Sequence, residues 1–365
     1  LTLVDYRTRY AQYRTDTQLQ AAHASLAFII VWDDHEVAND AWTDGAENHG
    51  SDEGDYAERK AAAIQAWYEW LPVREPSDGE RGHIYRSFEF GDLLSLHMLD
   101  TRNEGRDEQL DYADCMDTSG NFDSATFTAD LTAADRQLLG EDQATWLQQS
   151  LSVSSATWQV LGQQVLMGRM NIPAPLLLPE PTNPTISFSD YSALLVKAQT
   201  MPGDLTVEEQ AILAQPSIAY NLDAWDGYYV QRETVLGTAL ATDKNLVVLS
   251  GDTHNAWANN LLDMNNVQVG VEFATPSVSS PGLEAVLTEE DPVVLAAGLT
   301  QLIGPLQYCN AADRGFLVMT FTQTEARGDW YFVDTIASTD YSLVEAKAHS
   351  LRVLPGAGNR SLLAV

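Results

Sequence analysis

Two apolar runs, far apart in the chain, each end in a cluster of acid and imidazole. Leu26-Ala27-Phe28-Ile29-Ile30-Val31 leads into Trp32-Asp33-Asp34-His35-Glu36, and Leu246-Val247-Val248-Leu249-Ser250 leads into Gly251-Asp252-Thr253-His254-Asn255. Short, unbroken apolar runs of this kind are the mark of strands buried on both faces, as parallel and mixed sheets use them. Their polar endings then fall at a sheet edge, where open α/β folds place their sites. Two such endings in one chain point to one composite site.

Composition narrows the field. With 365 residues and 45% hydrophobic content, the chain can bury a sizeable core. It is read as one domain over 1–365. The 52 acidic residues outnumber the 20 basic ones, for a formal net charge of -32. Such a chain repels nucleic acid and anionic membrane, and its scattered acid reads as a solvated surface suited to salty surroundings. No stretch reaches the ~20 uninterrupted apolar residues that span a bilayer. Leu1-Thr2-Leu3-Val4-Asp5-Tyr6-Arg7 carries no initiator Met, basic leader or cleavage pattern and reads as helix interior, so a beginning within a longer protein is expected. Cys115 and Cys309 are too few for a thiolate metal site, and one bridge between them stays open if the protein is exported.

Periodicity predicts a helix over 5–24, with Tyr6, Tyr10 and Tyr13 on one stripe, and another over 55–71 that stops at Pro72. Residues 84–90 and 93–99 alternate about Gly91-Asp92 as a hairpin, which ends in Asp100-Thr101-Arg102. An acidic inserted loop is expected over 103–134, then a helix over 141–151 and strands at 158–161 and 164–167. Six prolines between 173 and 202 mark a second excursion, at about 171–215, read as a rim or lid. A helix over 232–241 feeds the strand at 245–250. Further strands are expected at 267–274, 316–322 and 330–336, the last two joined through Arg327-Gly328-Asp329.

Carboxylate and imidazole together form the ligand set of hard to borderline cations, and the shortage of cysteine argues against soft thiolate chemistry. One such cluster alone reads as a buried histidine with a carboxylate partner. Two on strand ends favour a shared centre. Ser250 and the Ser279-Ser280 pair offer hydroxyls near acids, but no Gly-x-Ser-x-Gly elbow is present. The chain also lacks a Gly-x-Gly-x-x-Gly turn and a lysine phosphate loop, which sets aside hydride transfer and nucleotide cradling.

The motifs carry a resemblance. Trp32 to Asp40, Leu99-Asp100-Thr101-Arg102, Leu161-Gly162-Gln163-Gln164, Asp223-Ala224-Trp225-Asp226-Gly227-Tyr228, Ser250 to Asn255 and Val271 to Ser277 stand in the order found in PhoD-type alkaline phosphatases. The chain resembles that branch of the calcineurin-like metallophosphoesterases from Trp32 to Ser277. The resemblance implies a four-layer αββα sandwich, two mixed β-sheets flanked by helices. It implies hydrolysis of small phosphate mono- or diesters by in-line attack of a metal-bound hydroxide, with iron(III) (Fe3+) and calcium (Ca2+) as the metals and other divalent cations as alternatives. Asp34 is then a metal ligand, His35 the catalytic group facing the phosphate, and Asp252 and His254 ligands to the two metals. Asp33 or Glu36 would fix the His35 tautomer.

Arg102 could bind phosphate or pair with Asp100. Asn39 and Asn255 could be outer donors to substrate or serve as cap and turn residues. Trp225, Tyr228 and Tyr229 could line the pocket mouth or simply pack, whereas His49, His83 and His97 read as structural. The family also uses a cysteine near its N-terminus and a Gly-Asp-x-x-Tyr strand end. Neither is found in this chain, and Cys115 and Cys309 stand in other contexts, so the iron side is expected to be incomplete if the molecule starts at Leu1. A monomer located in the periplasm or outside the cell is expected. Two alternatives remain at this point: a phospholipase-like diesterase using the same site, and an inactive, acidic cation-binding remnant.

Overall fold

The computed structural model describes residues 1–77, 79–178 and 186–365. Residues 179–185 of the proline-rich excursion therefore lie outside the described residues. Helices are α1 (Leu3–Tyr13), α2 (Thr17–Ser25), α3 (Tyr56–Trp70), α4 (Ser124–Leu131), α5 (Gly140–Val153), α6 (Phe188–Thr200), α7 (Val207–Leu213), α8 (Tyr229–Ala241), α9 (Leu283–Val286) and α10 (Pro292–Leu302). Strands β1 (Arg86–Phe90), β2 (Leu94–Met98) and β3 (Trp158–Gly162) are followed by a small ribbon, β4 (Asn171–Pro173) with β5 (Ser217–Ala219). Then come β6 (Leu246–Ser250), β7 (Ala256–Leu262), β8 (Gln268–Ala274), β9 (Leu306–Asn310), β10 (Gly315–Phe321), β11 (Ala326–Phe332), β12 (His349–Val353) and β13 (Leu363–Ala364).

The large sheet is mixed and runs β1-β2-β3-β6-β8-β7-β9. Its middle strands β2, β3, β6 and β8 are mutually parallel, so their carboxyl ends share one edge. Alternation sorts their side chains between two cores. Leu161 and Val248 face α5, α8 and α10 through Leu147, Leu151, Val235, Leu236, Leu295 and Leu299. Val160, Val247, Val271 and Phe273 face the other way, onto Ala326, Trp330, Phe332, Leu351 and Val353 of the second sheet. Each large apolar side chain buried in this way contributes about 2 kcal/mol. The Trp330 indole N–H also donates to the Ala274 carbonyl, 2.9 Å away, joining the sheets.

The expected α/β arrangement of a large mixed sheet with flanking helices is present. The second sheet, β10-β11-β12-β13, is antiparallel throughout rather than mixed. Its outward-facing Phe316 and Val318 remain 42% and 41% exposed.

The hairpin and the helices around 55–71, 141–151 and 232–241 form where the pattern predicts. Asp55 caps α3 by accepting from the amides of Ala57 and Glu58, and Ala63, Ala66 and Trp67 bury its inner stripe.

Four expectations are corrected. The helix over 5–24 is two helices, because Asp16 caps a new start and its carboxylate accepts from the Leu19 amide at 2.7 Å. Residues 26–31 do not join a ladder among the described residues, and Leu26 and Ile29 are 65% and 36% exposed. The run has strand composition but no neighbouring strand, and β-structure needs a partner. Residues 164–167 are buried without being a strand, their backbone taken up by partners such as the Trp225 amide, which donates to the Leu166 carbonyl. Arg327-Gly328-Asp329 lies inside β11, not in a turn, and the reversal falls at Thr322–Glu325.

The first excursion holds α4, and the second holds α6 and α7. Both cysteines are free and buried, Cys115 beside Phe127 and Cys309 on β9, so no bridge joins them. No helix among the described residues is long and apolar enough to cross a membrane.

Candidate metal centre

Four polar segments meet at the carboxyl edge. Gln164, just past β3, ties three of them together. Its Oε1 accepts from the Thr101 amide at 3.1 Å and the Thr101 hydroxyl at 2.7 Å, while its Nε2 donates to the carbonyls of Trp32 (2.7 Å) and Leu99 (3.0 Å). Its own carbonyl accepts from the Gly251 amide at 2.8 Å. A single buried residue, through its side-chain amide and its own carbonyl, thus sets the Trp32, β2 and β6 endings in register.

The first acidic knot folds on itself. Asp34 Oδ1 accepts from the His35 amide and Oδ2 from the Asp40 amide, both at 2.8 Å, and Glu36 accepts from the Asp33 amide at 2.7 Å. At the second, Asp252 (φ 62°) and His254 (φ 61°) both adopt left-handed backbone. That conformation costs a non-glycine residue about 1–2 kcal/mol. The surrounding structure holds it in place: the Trp257 indole donates to Thr253 Oγ1 at 2.8 Å, and the Ser277 amide to the His254 carbonyl at 3.2 Å.

These turns bring one oxygen each from Asp33, Asp34 and Asp252 within 4.8 Å of one another. Arg102, whose side chain is 0% exposed, reaches Asp33 through Nε, Asp223 through Nη1 and Asp252 through Nη2, each at 2.7 Å. Arg106 also pairs with Asp223. Four carboxylates face two guanidiniums, which leaves negative charge in excess. Burial pushes the carboxyls of Asp33 and Asp252 upward against the pull of Arg102, Asp252 well above the usual carboxylate range. Burial also acts on Asp223, but Arg102 and Arg106 together hold it below its ordinary value. Glu36 is raised to about 7, chiefly by burial with the charges of Asp33 and Asp34 adding, and Asp40 to about 6 by burial and then Asp223.

His35 is 71% exposed on its side chain, with Nε2 4.0 Å from Asp34 Oδ2. Asp34 is therefore the carboxylate beside it, whereas Asp33 is turned to Arg102 and Glu36 to a backbone amide. His254 Nδ1 lies 2.7 Å from the Pro281 carbonyl, which places the proton on Nδ1 and leaves Nε2 as a donor to a metal. His254 shares the Asp252 loop without being one of the three clustered donors.

Arg102, one of the phosphate-binding candidates, directs all three of its nitrogens at carboxylates. Its alternative pairing with Asp100 is a backbone contact instead, the Arg102 amide donating to Asp100 Oδ1 at 2.8 Å. Asn39 is bound to Glu47, and the buried Asn255 accepts from the Leu283 amide at 3.2 Å. Trp225 donates to Gln163 Oε1, and Tyr228 lies beneath Arg106 and Arg136, so both pack rather than line a mouth.

Sequence reasoning missed the place of Asp33 in the cluster, the hub role of Gln164, and Glu272. Glu272 is completely buried in β8 and accepts from the amides of Met167 (2.6 Å) and Gly168 (2.9 Å), the Ser250 hydroxyl (3.0 Å) and the Asn259 side chain (2.9 Å). The signal was available, since Glu272 is a lone charge in an otherwise uncharged strand.

Gly227 supports Asp223 from behind. A Cβ there would lie 1.9 Å from the Leu222 carbonyl oxygen, a backbone atom that cannot yield without moving Asp223. Gly227→Ala is expected to cost about 2 kcal/mol or more, read as a fall in the denaturation midpoint.

The donor set suits a hard cation. Three clustered carboxylates are calcium-type ligands, and the free Nε2 of His254 adds a borderline nitrogen. Neither cysteine belongs to the group. Sheet and site together thus define an α/β protein with an acidic, histidine-flanked centre at its strand ends. A family model for PhoD-like phosphatases matches residues 1–330, and the chain belongs to that family. Alkaline phosphatase D of Bacillus subtilis (strain 168) is 34% identical over 289 residues, 77% of this chain. The solved structure of PhoD superposes with a TM-score of 0.73 at 28% identity and covers 100% of this chain. This chain spans 41% of the length of that curated relative and 59% of that solved structure.

Proposed function

We propose that this centre hydrolyses small phosphate mono- and diesters. The supporting observation is the convergence of Asp33, Asp34 and Asp252 at the carboxyl edge, with the exposed imidazole of His35 beside Asp34. Asp33, Asp34 and Asp252 would hold calcium, and His254 Nε2, with Asp252, a second ion, which the resemblance suggests is iron(III). Such ions supply charge neutralisation for the phosphoryl oxygens and acidify a water.

The chain's own residues do the rest. Two backbone amides aim the Asp34 oxygens, and Arg102 fixes Asp33 and Asp252 so that their geometry is set before any ion arrives. His35, exposed to solvent, is placed to donate a proton to the leaving oxygen as the P–O bond breaks. The Pro281 carbonyl keeps His254 in one tautomer. For phosphoryl transfer, positioning and charge neutralisation of this kind provide most of the rate. Export and a role in acquiring phosphate would agree with such an activity.

Variants separate the roles. His35→Ala should lower turnover of an aryl phosphate by about 100-fold or more and leave bound metal nearly unchanged. Asp252→Ala should lose metal, measured by mass spectrometry. Equal metal loss in both would refute the division.

A further inference from the structure

A cleft of about 360 Å³ has His35, the imidazole beside Asp34, and Glu36 in its wall, and none of Asp33, Asp34 and Asp252 lines it. Tyr6, Arg9 and Tyr10 of α1 and Arg14 just past it line the cleft together with His35 and Leu71. Two of the rings are fixed. The Tyr6 hydroxyl donates to the Val37 carbonyl at 2.7 Å, and Tyr10 stacks on Trp70 with ring centroids 6.3 Å apart.

The arginines stand apart from the chain's general charge. With 52 acidic residues against 20 basic ones, a guanidinium here is expected to find a carboxylate. Arg9 instead contacts the Gln12 side-chain oxygen at 3.1 Å, and Arg14 the Trp70 carbonyl at 2.7 Å. Among the described residues neither forms a salt bridge. Glu36 also borders the cleft, but its carboxylate accepts from the Asp33 amide. Two arginines with unused donors therefore line a space that also has tyrosines and His35 in its wall.

We infer that this cleft receives the leaving group of the ester, and that Arg9 and Arg14 select leaving groups that carry a ring and a negative charge of their own. The inference rests on the phosphoesterase reading. A proton donor must face the leaving oxygen, so the group beyond that oxygen lies beside His35, where this cleft is. Tyrosine faces accept a flat ring, and guanidinium forks accept a carboxylate or phosphate on it.

The test compares two non-hydrolysable probes, 4-carboxybenzylphosphonate and benzylphosphonate, by calorimetric titration of the full chain with calcium present. The carboxylated probe should bind about tenfold more tightly, the value of one charge-assisted contact. Arg9→Gln and Arg14→Gln should each bring the ratio of the two affinities towards one. Because Arg14 also holds the Trp70 carbonyl, Arg9→Gln is the variant that tests the idea free of any folding defect. Equal affinities in the unaltered chain, no binding of either probe, or a preference that survives both substitutions would overturn the inference. Hydrolysis of phenyl phosphate by the unaltered chain, measured in parallel, separates that failure from failure of the phosphoesterase reading.

Discussion

Arg102→Met should lower the stability of the metal-free protein by about 4 kcal/mol, and added calcium should restore part of the loss. The guanidinium touches Asp33, Asp223 and Asp252 with every nitrogen and has no contact with solvent. Removing it leaves Asp33 and Asp252 unneutralised in a low-dielectric pocket and Asp223 with Arg106 alone, and the penalty is theirs rather than the lost value of the arginine.

The pH dependence follows from Asp223, whose folded value lies below the ordinary 3.8. A carboxyl depressed in this way contributes stability that is complete above its unfolded value and lost as pH falls through its folded value. In Arg102→Met that contribution should shrink, while Asp33 and Asp252, already raised by burial, should rise further, so the variant's deficit should start to close above the ordinary carboxylate range as these two take protons and close further below about 4 as Asp223 does. Calcium rescue is the informative half. A cation entering the cluster supplies the charge that the arginine gave, so recovery of the melting temperature with calcium reports a cation site. A purely structural ion network would show the loss without the recovery.

Glu272→Leu should be nearly as damaging, at about 4 kcal/mol, and calcium should not rescue it. Four donors converge on this carboxylate, two from the backbone at 167–168 and two from the side chains of Ser250 and Asn259. An apolar replacement strands all four, and each buried unsatisfied donor costs about 1–3 kcal/mol, partly recovered by relaxation. Glu272→Gln should fall in between, at about 2 kcal/mol, because an amide can accept at one oxygen but sets its own N–H groups against the remaining donors. Urea denaturation of the three proteins gives the order directly. A Glu272→Gln protein as stable as the parent would show that these four contacts do not depend on the charge of the carboxylate.

The parts of this molecule that were legible in the sequence are those where local chemistry and tertiary context agree. The β6 run ending in Gly251-Asp252-Thr253-His254 reads correctly because its apolar residues are buried on both faces and its end falls at the parallel edge. The run at 26–31 has the same composition and a different fate, since pairing depends on a neighbouring strand that composition does not reveal. Of the first acidic cluster, the sequence identifies the place but not the assignments. Asp33 and Asp34 are adjacent and chemically alike, yet one turns to Arg102 and the other to backbone amides. Only the fold, by bringing Arg102 from 69 residues away, tells them apart. Arg102 itself read either as a phosphate ligand or as a partner of Asp100, because a positive group at a strand end near acid suits both roles, and its three carboxylate partners come from three separate segments. Gln164 and Glu272 escaped because a single amide or carboxylate has no periodicity; their importance lies in the number of backbone groups they satisfy.

The central proposal is that the acidic clusters at 33–36 and 252–254 form one cation-dependent phosphoester site. Calcium titration of the metal-free chain, followed by hydrolysis of an aryl monoester and an aryl diester in the same samples, tests it most directly. Calcium should bind with release of protons, since burial raises the carboxyls of Asp33 and Asp252, and turnover of at least one ester should rise with occupancy. A chain that binds no calcium, or whose hydrolysis is the same with and without it and with Asp252 replaced by alanine, would contradict the claim.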